Sequence, residues 1–355
     1  MSRTYSLYLD AIRFLAAMLV MCTHVDLIGV RLGPLAHFGH DAVIVFFVLS
    51  GYVIAYTVDR RDHDVKSYAV SRLARLWSVV LPAIVLTVAL NAIGAAYAPA
   101  QYEPQLGGDA AFNIGASALF LNQIWYLDVA PPVNTPFWSL GFEVMYYAFY
   151  ACLVFLRGRA RIVAAVLALL VMGPKIAVLL PVWLLGVALY RRRFAAKDAL
   201  GGALLLGSLA FYALYREYDV SGPLSEAVLR FAPLGHFAMA KYFVSDYVVA
   251  LLVAANLAGF RMIEHRFAPL FAHAARPIRF LAGFTFSIYL FHFPVLVFLG
   301  AMLPQTGLAR FGIAFAVILL VGSVTERKKD VFRRALLWLT GRAAAPRSAA
   351  GAARV

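Results

Sequence analysis

The amino-acid sequence predicts an all-α integral membrane protein, a polytopic bundle of about ten transmembrane helices. Three observations predict it. Hydrophobic residues make up 63% of the chain and charged residues only 14%, with a mean hydropathy of +0.79, far from the balance of a soluble domain. The apolar residues gather in runs of about 20, the length that crosses a bilayer as a helix. Lys and Arg cluster between alternate runs, the pattern of the positive-inside rule.

The first run covers residues 7–30. Arg13 and His24 interrupt it and no small-x-small site precedes Gly29, so it reads as a retained helix and not as a cleavable signal peptide. Further spans fall at 38–58, 73–96, 136–156, 159–174, 176–190, 199–216, 241–262, 279–302 and 308–326. The fifth and sixth are short. Gly173-Pro174 is either the turn between two helices or the kink in one, and one kinked helix would leave nine spans. Residues 112–127 are apolar but short, which reads as a re-entrant or interfacial segment. Residues 1–328 are expected to form one transmembrane domain and 329–355 a basic cytoplasmic tail. Residues 341–355, rich in Ala, Arg, Pro, Ser and Gly, read as disordered.

With the N-terminus cytoplasmic, inner loops and tails hold 25 of the 32 Lys and Arg. Six lie outside (Arg31, Lys175, Arg216, Arg230, Lys241, Arg310), Arg13 lies within a helix, and residues 76–156 contain none. This predicts an even number of spans, both termini inside, in a cytoplasmic membrane. The net charge of +14 is then topological, and no nucleic-acid partner is expected. Cys22 and Cys152 both fall in spans and give neither a disulfide framework nor metal-ligand spacing. No Walker sequence, Gly-x-Ser-x-Gly or zinc spacing occurs, so no metal or bound cofactor is expected. No internal repeat stands out, which weakens an inverted-repeat transporter.

Ionisable groups inside spans mark function by default. Arg13 and His24 are eleven residues apart, hence on one helical face and roughly 16 Å apart along the axis. A neutral His24 can take a proton from a hydroxyl or attack a thioester carbonyl; hydrogen bonding between helices is the competing role. Arg13 can attract an anionic ligand, snorkel, or pair with Asp10 one turn back. Asp41 sits at the outer end of the second span, the level toward which His24 points. Arg72 and Arg75, one turn apart, can clamp the phosphates of a nucleotide-like donor or contact lipid headgroups. Ser139, Glu143, Tyr146 or Tyr147, and Tyr150 make one polar, aromatic face, and a glutamate there needs a partner or an aqueous cavity. His292 lies mid-span before Pro294, which frees a carbonyl one turn back, so a polar neighbour there has a structural use too. Asp246 and Lys241 either contact a substrate or neutralise each other.

Taken in order, five segments resemble the acyltransferase family 3 of bacterial membrane proteins over nearly the whole chain. They are Leu9-Asp10-Ala11-Ile12-Arg13 with His24; Phe46-Phe47-Val48-Leu49-Ser50-Gly51-Tyr52; Arg72-Leu73-Ala74-Arg75-Leu76; Phe137-Trp138-Ser139-Leu140-Gly141-Phe142-Glu143 with Tyr146; and Ser287-Ile288-Tyr289-Leu290-Phe291-His292. The resemblance implies transfer of an acyl group, commonly acetyl, from cytoplasmic acyl-CoA as co-substrate to a hydroxyl of a sugar, glycan or small molecule. It implies that His24 is the essential histidine, Arg13 its paired arginine, and Arg72 and Arg75 the donor side. Asp41, Ser139, Glu143, Tyr146 and His292 are then expected to bind the acceptor or support the site. Many relatives end with an acidic residue followed by Arg-Pro-Phe; the segment after Glu326 lacks that proline, so the resemblance gives Glu326 no role. The length leaves no room for the extracytoplasmic hydrolase-like domain of some relatives, which predicts a stand-alone member in the bacterial inner membrane. The rival reading is a proton-coupled transporter or flippase that uses His24, Glu143 and His292.

Overall fold

A computed structural model describes residues 1–102, 108–231, 234–303 and 307–339. Among them there is no strand. Among the described residues nine helices are long and apolar enough to cross a membrane, and a further apolar helix, Leu180–Arg191, is shorter. The chain is therefore a multi-pass all-α membrane protein. The helices that frame the site are α1 (Arg3–Thr23), α2 (Gly39–Arg60), α3 (Val65–Tyr97), α4 (Ala110–Ala118), α5 (Trp138–Phe155) and α6 (Gly158–Ala177). They continue as α7 (Leu180–Arg191), α8 (Asp198–Glu217), α9 (Phe243–His273), α10 (Thr285–Met302), α11 (Leu308–Val324) and α12 (Lys329–Leu339).

α1 is central. It packs against α2, α9 and α10, and Leu7, Leu9, Ala17 and Met21 are at most 1% exposed. Its start is set by Ser2, whose hydroxyl accepts from Tyr5 N at 3.1 Å and donates to Glu264 of α9 at 2.7 Å. The apolar run predicts helix to residue 30, but α1 stops at Thr23. His24 is its C-cap, and the chain tightens through Val25–Ile28 to Gly29, whose φ of 79° suits glycine. His24 thus ends a helix instead of lying within one.

α3 starts eight residues before the predicted span because Asp64 and Ser67 form a capping box. Arg72 and Arg75 are consequently well inside a helix. The ambiguity at Gly173-Pro174 resolves into a break. Gly173 has φ 74° and ψ 175°, and a Cβ there would lie 2.6 Å from Trp125 Cα, so geometry and space both demand glycine. α7 then runs beside α2 at close range. A Cβ on Gly51 would lie 2.0 Å from Trp183 O, and one on Gly186 2.0 Å from Val48 O; small residues let the two backbones meet.

Residues 112–127 fall in α4 and the turns after it. α4, at 9 residues, is too short to cross a bilayer, and Trp77 Nε1 donates to Ala118 O at 3.2 Å to hold it on α3. Pro294 frees the Leu290 carbonyl in α10, and Asn134 Nδ2 donates to it at 3.1 Å. α12 packs against α3, so the first part of residues 329–355 is helical. Residues 341–355, read as a disordered tail, lie outside the described residues.

Candidate active site

A cavity opens among α1, α2, α3, α5 and α10, lined by Arg13, Ser50, Arg72, Arg75, Glu143 and Tyr289, among others. Three cations in so small a volume suit an anionic ligand. Arg13 Nη1 lies 3.3 Å from Asp10 Oδ1, one turn back. Arg72 is anchored: its Nη2 donates to Asp62 Oδ2 at 3.0 Å, both side chains are at most 10% exposed, and its buried Nε has no partner among the described residues. Burial raises the Asp62 carboxyl above its ordinary pKa, and the Arg72 guanidinium opposes the shift. Arg75 is exposed, and no hydrogen bond or ion pair to its guanidinium occurs among the described residues.

Glu143 answers these cations from the opposite wall. Its Oε1 accepts from Ser50 Oγ at 2.6 Å and from the Tyr147 hydroxyl. Ser50 in turn accepts from Trp183 Nε1 at 3.2 Å, so α2, α5 and α7 share one network. Ser139 belongs to the deeper wall. The Tyr289 hydroxyl must donate to Pro136 O at 2.7 Å, since a carbonyl only accepts, and therefore accepts from Ser139 Oγ at 2.7 Å. Tyr289 and Phe46, in edge contact at 5.7 Å between centroids, both line the cavity.

Beyond that wall lies a second polar centre. His24 Nδ1 and His292 Nε2 are 3.1 Å apart, the two rings 5.1 Å between centroids, and Tyr289 is 6.4 Å from the His292 ring. Neither histidine lines the cavity. The rise of a helix puts Arg13 and His24 roughly 16 Å apart, so a ligand must be long to touch both.

The fold gathers Arg13, Arg72, Arg75, Ser139 and Glu143 around one cavity and pairs His24 with His292. Asp41 and Tyr146 join neither group. Asp41 accepts from Tyr212 OH at 2.6 Å and lies 3.6 Å from Arg216 Nη1, which ties α2 to α8. Tyr146 is fully buried and donates to Ile176 O at 2.9 Å. Tyr147 faces the cavity instead; its i, i+4 relation to Glu143 was the available signal. Asp246 does not pair with Lys241. It meets His40 Nε2 at 2.8 Å, and the Lys241 ammonium sits 5.0 Å over the Tyr242 ring. Glu326 gains a structural task, as its Oε2 accepts from Ser287 N at 2.9 Å and Ser287 Oγ at 2.8 Å at the start of α10. The partners Asp62 and Trp183 carry no motif, and only the folded chain shows them.

Fold and site together define a multi-pass helical membrane protein whose polar centres lie inside the bundle. The chain belongs to the acyltransferase domain family, whose sequence profile matches residues 6–326. It is similar to the peptidoglycan O-acetyltransferase OatA of Listeria monocytogenes, 25% identical over 343 residues, covering 86% of this chain and 51% of that protein. It is also similar to the acyltransferase MdmB of Streptomyces mycarofaciens, 28% identical over 150 residues, covering 39% of this chain and 36% of that protein. The chain thus spans about half the length of the first and the match about a third of the second. No solved structure matches the chain significantly.

Proposed function

We propose that this chain is a membrane O-acyltransferase that moves an acyl group, most simply acetyl, from cytoplasmic acyl-CoA to a hydroxyl of a sugar or glycan. The observation that carries the reading is the pairing of a three-arginine cavity with a histidine centre next to its Tyr289 wall, in a chain of the acyltransferase domain family. Similarity to a peptidoglycan O-acetyltransferase supports acetyl as the group and a glycan hydroxyl as the acceptor. The basic loops support a cytoplasmic-membrane protein with both termini inside.

In this mechanism the CoA phosphates bind Arg72 and Arg75. The long pantetheine arm passes Ser50 and Glu143, and the thioester reaches His24 past Tyr289. Tyr289 holds its place through Ser139 and Pro136. Arg13 orients the donor. Two routes then balance. His24 takes the hydroxyl proton as the oxygen bonds the acyl carbon, the C–S bond breaks, and the proton leaves with the CoA sulfur. Alternatively His24 itself takes the acyl group as the C–S bond breaks and CoA leaves as the thiolate; the hydroxyl oxygen then takes the acyl group from His24, and the hydroxyl proton converts the thiolate to the CoA thiol. Acyl-histidine trapped with donor alone selects the second route.

The deciding experiment supplies radiolabelled acetyl-CoA to membranes containing the wild type or His24→Ala at equal abundance. Label in a glycan or small-molecule fraction with the wild type alone supports the assignment. Equal labelling removes His24 from the chemistry, and proton-coupled transport without acyl-CoA consumption would replace the enzyme reading altogether.

A further inference from the structure

The hydrogen bonds around the two paired histidines fix which nitrogen of each carries its proton. His292 is fully buried in the middle of α10. Its Nδ1 lies 2.9 Å from Ile288 O and 2.8 Å from Tyr289 O. Carbonyl oxygens only accept, so Nδ1 bears the hydrogen. No carboxylate contacts this ring among the described residues, and an unpaired imidazolium so deep in the bundle is expensive. His292 is therefore neutral, and its Nε2 is an acceptor.

That acceptor faces His24 Nδ1 at 3.1 Å, and the same Nδ1 lies 3.0 Å from Val20 O. Both neighbours of His24 Nδ1 accept. The hydrogen of a neutral His24 must then sit on Nδ1, shared between them, which leaves its Nε2 with a free lone pair. The opposite tautomer would set the single Nδ1 lone pair against both the Val20 carbonyl and the His292 Nε2 lone pair, with both bonds unmade. Phe293, edge-on to the His24 ring at 5.0 Å, limits rotation away from this arrangement.

We infer that His292 is a positioning residue that sets the tautomer of His24 and so presents a basic, nucleophilic Nε2 to the reacting groups. The inference rests on the reading of His24 as base or acyl carrier. When His24 Nε2 accepts a proton or an acyl group, the ring becomes cationic and its Nδ1–H bond to His292 becomes charge-assisted. His292 takes no proton. The orienting partner is neutral, so the pair introduces no fixed anion into the bundle, where an unpaired charge would be costly.

Two measurements on the full chain in bilayer nanodiscs test this. The first is nitrogen-15 NMR of histidine-labelled protein, with His24 assigned by its loss in His24→Ala. A protonated Nδ1 and bare Nε2 are expected in the wild type, with mixed tautomers in His292→Leu; a protonated Nε2 in the wild type overturns the inference. The second is steady-state acetyl transfer. His292→Leu should lower kcat about 10- to 100-fold, the usual effect of losing such a partner, with the donor KM unchanged. His292→Gln, whose amide oxygen can accept from His24, should recover most of it. Wild-type kcat in His292→Leu, or equal loss in both variants at wild-type thermal stability, overturns the role. If His292→Leu does not fold, His292→Met replaces it. An active His24→Ala with the expected NMR pattern would defeat the proposed function and leave the tautomer assignment standing.

Discussion

Replacing Arg75 with alanine should weaken donor binding and leave the fold untouched. Arg75 lines the cavity, is exposed, and its guanidinium has no hydrogen bond or ion pair among the described residues. Its removal therefore orphans nothing. A hydrogen bond to a charged group contributes about 1.5–3 kcal/mol, so the KM for acetyl-CoA should rise about ten- to a hundredfold at constant kcat. Arg72 is the contrast. Its pair with Asp62 at 3.0 Å is at most 10% exposed on either side, and removing one partner of a buried pair costs about 3–5 kcal/mol. Arg72→Ala should thus lose stability as well as donor affinity. The assay is the donor dependence of labelled transfer, run beside thermal unfolding of each variant. An Arg75→Ala protein with a KM within about twofold of wild type, well below the effect of one such bond, refutes the assignment. Destabilisation equal to that of Arg72→Ala refutes it as well.

Other consequences follow from packing. Asn134→Ala should cost about 1–3 kcal/mol, because it strands the Leu290 carbonyl that Pro294 leaves open. The loss should shrink in a Pro294→Ala background, which restores a backbone N–H for that carbonyl; a double-mutant cycle with no coupling contradicts the account. Gly186→Ala would set a Cβ 2.0 Å from Val48 O, so α2 and α7 must separate. Overpacking of this kind costs about 1–3 kcal/mol, and an unchanged unfolding midpoint would show that the contact is looser than described.

Much of the site was legible because a membrane makes intramembrane polarity conspicuous. Arg13, His24, Glu143 and His292 stood out as ionisable groups in apolar runs, and helical periodicity put Arg13 and His24 on one face. Periodicity could not say which polar residues would be consumed by neighbours. Asp41 looked as available as Glu143, yet Tyr212 and Arg216 hold it, while Glu143 keeps its place on the cavity wall. The end of α1 was misplaced for a related reason. α1 ends at Thr23, and residues 25–28 continue only as a tighter 3-10 turn that Gly29 closes, a change of winding that a mostly apolar run does not record.

The sequence by itself determined that this chain crosses a membrane many times and, to within several residues, where most of its long apolar helices lie. Hydrocarbon forces the backbone to satisfy its own hydrogen bonds, so composition dictates helices. Tertiary structure alone decided that His24 meets His292 across 268 positions of chain, that Asp62 holds Arg72, and that Tyr289 of the cavity wall stands next to His292. Those facts depend on which helices become neighbours and how they are rotated, and that is set by contacts such as Gly51 and Gly186 at the α2–α7 crossing. Packing between apolar helices follows shape, and a one-dimensional pattern of polarity does not record shape.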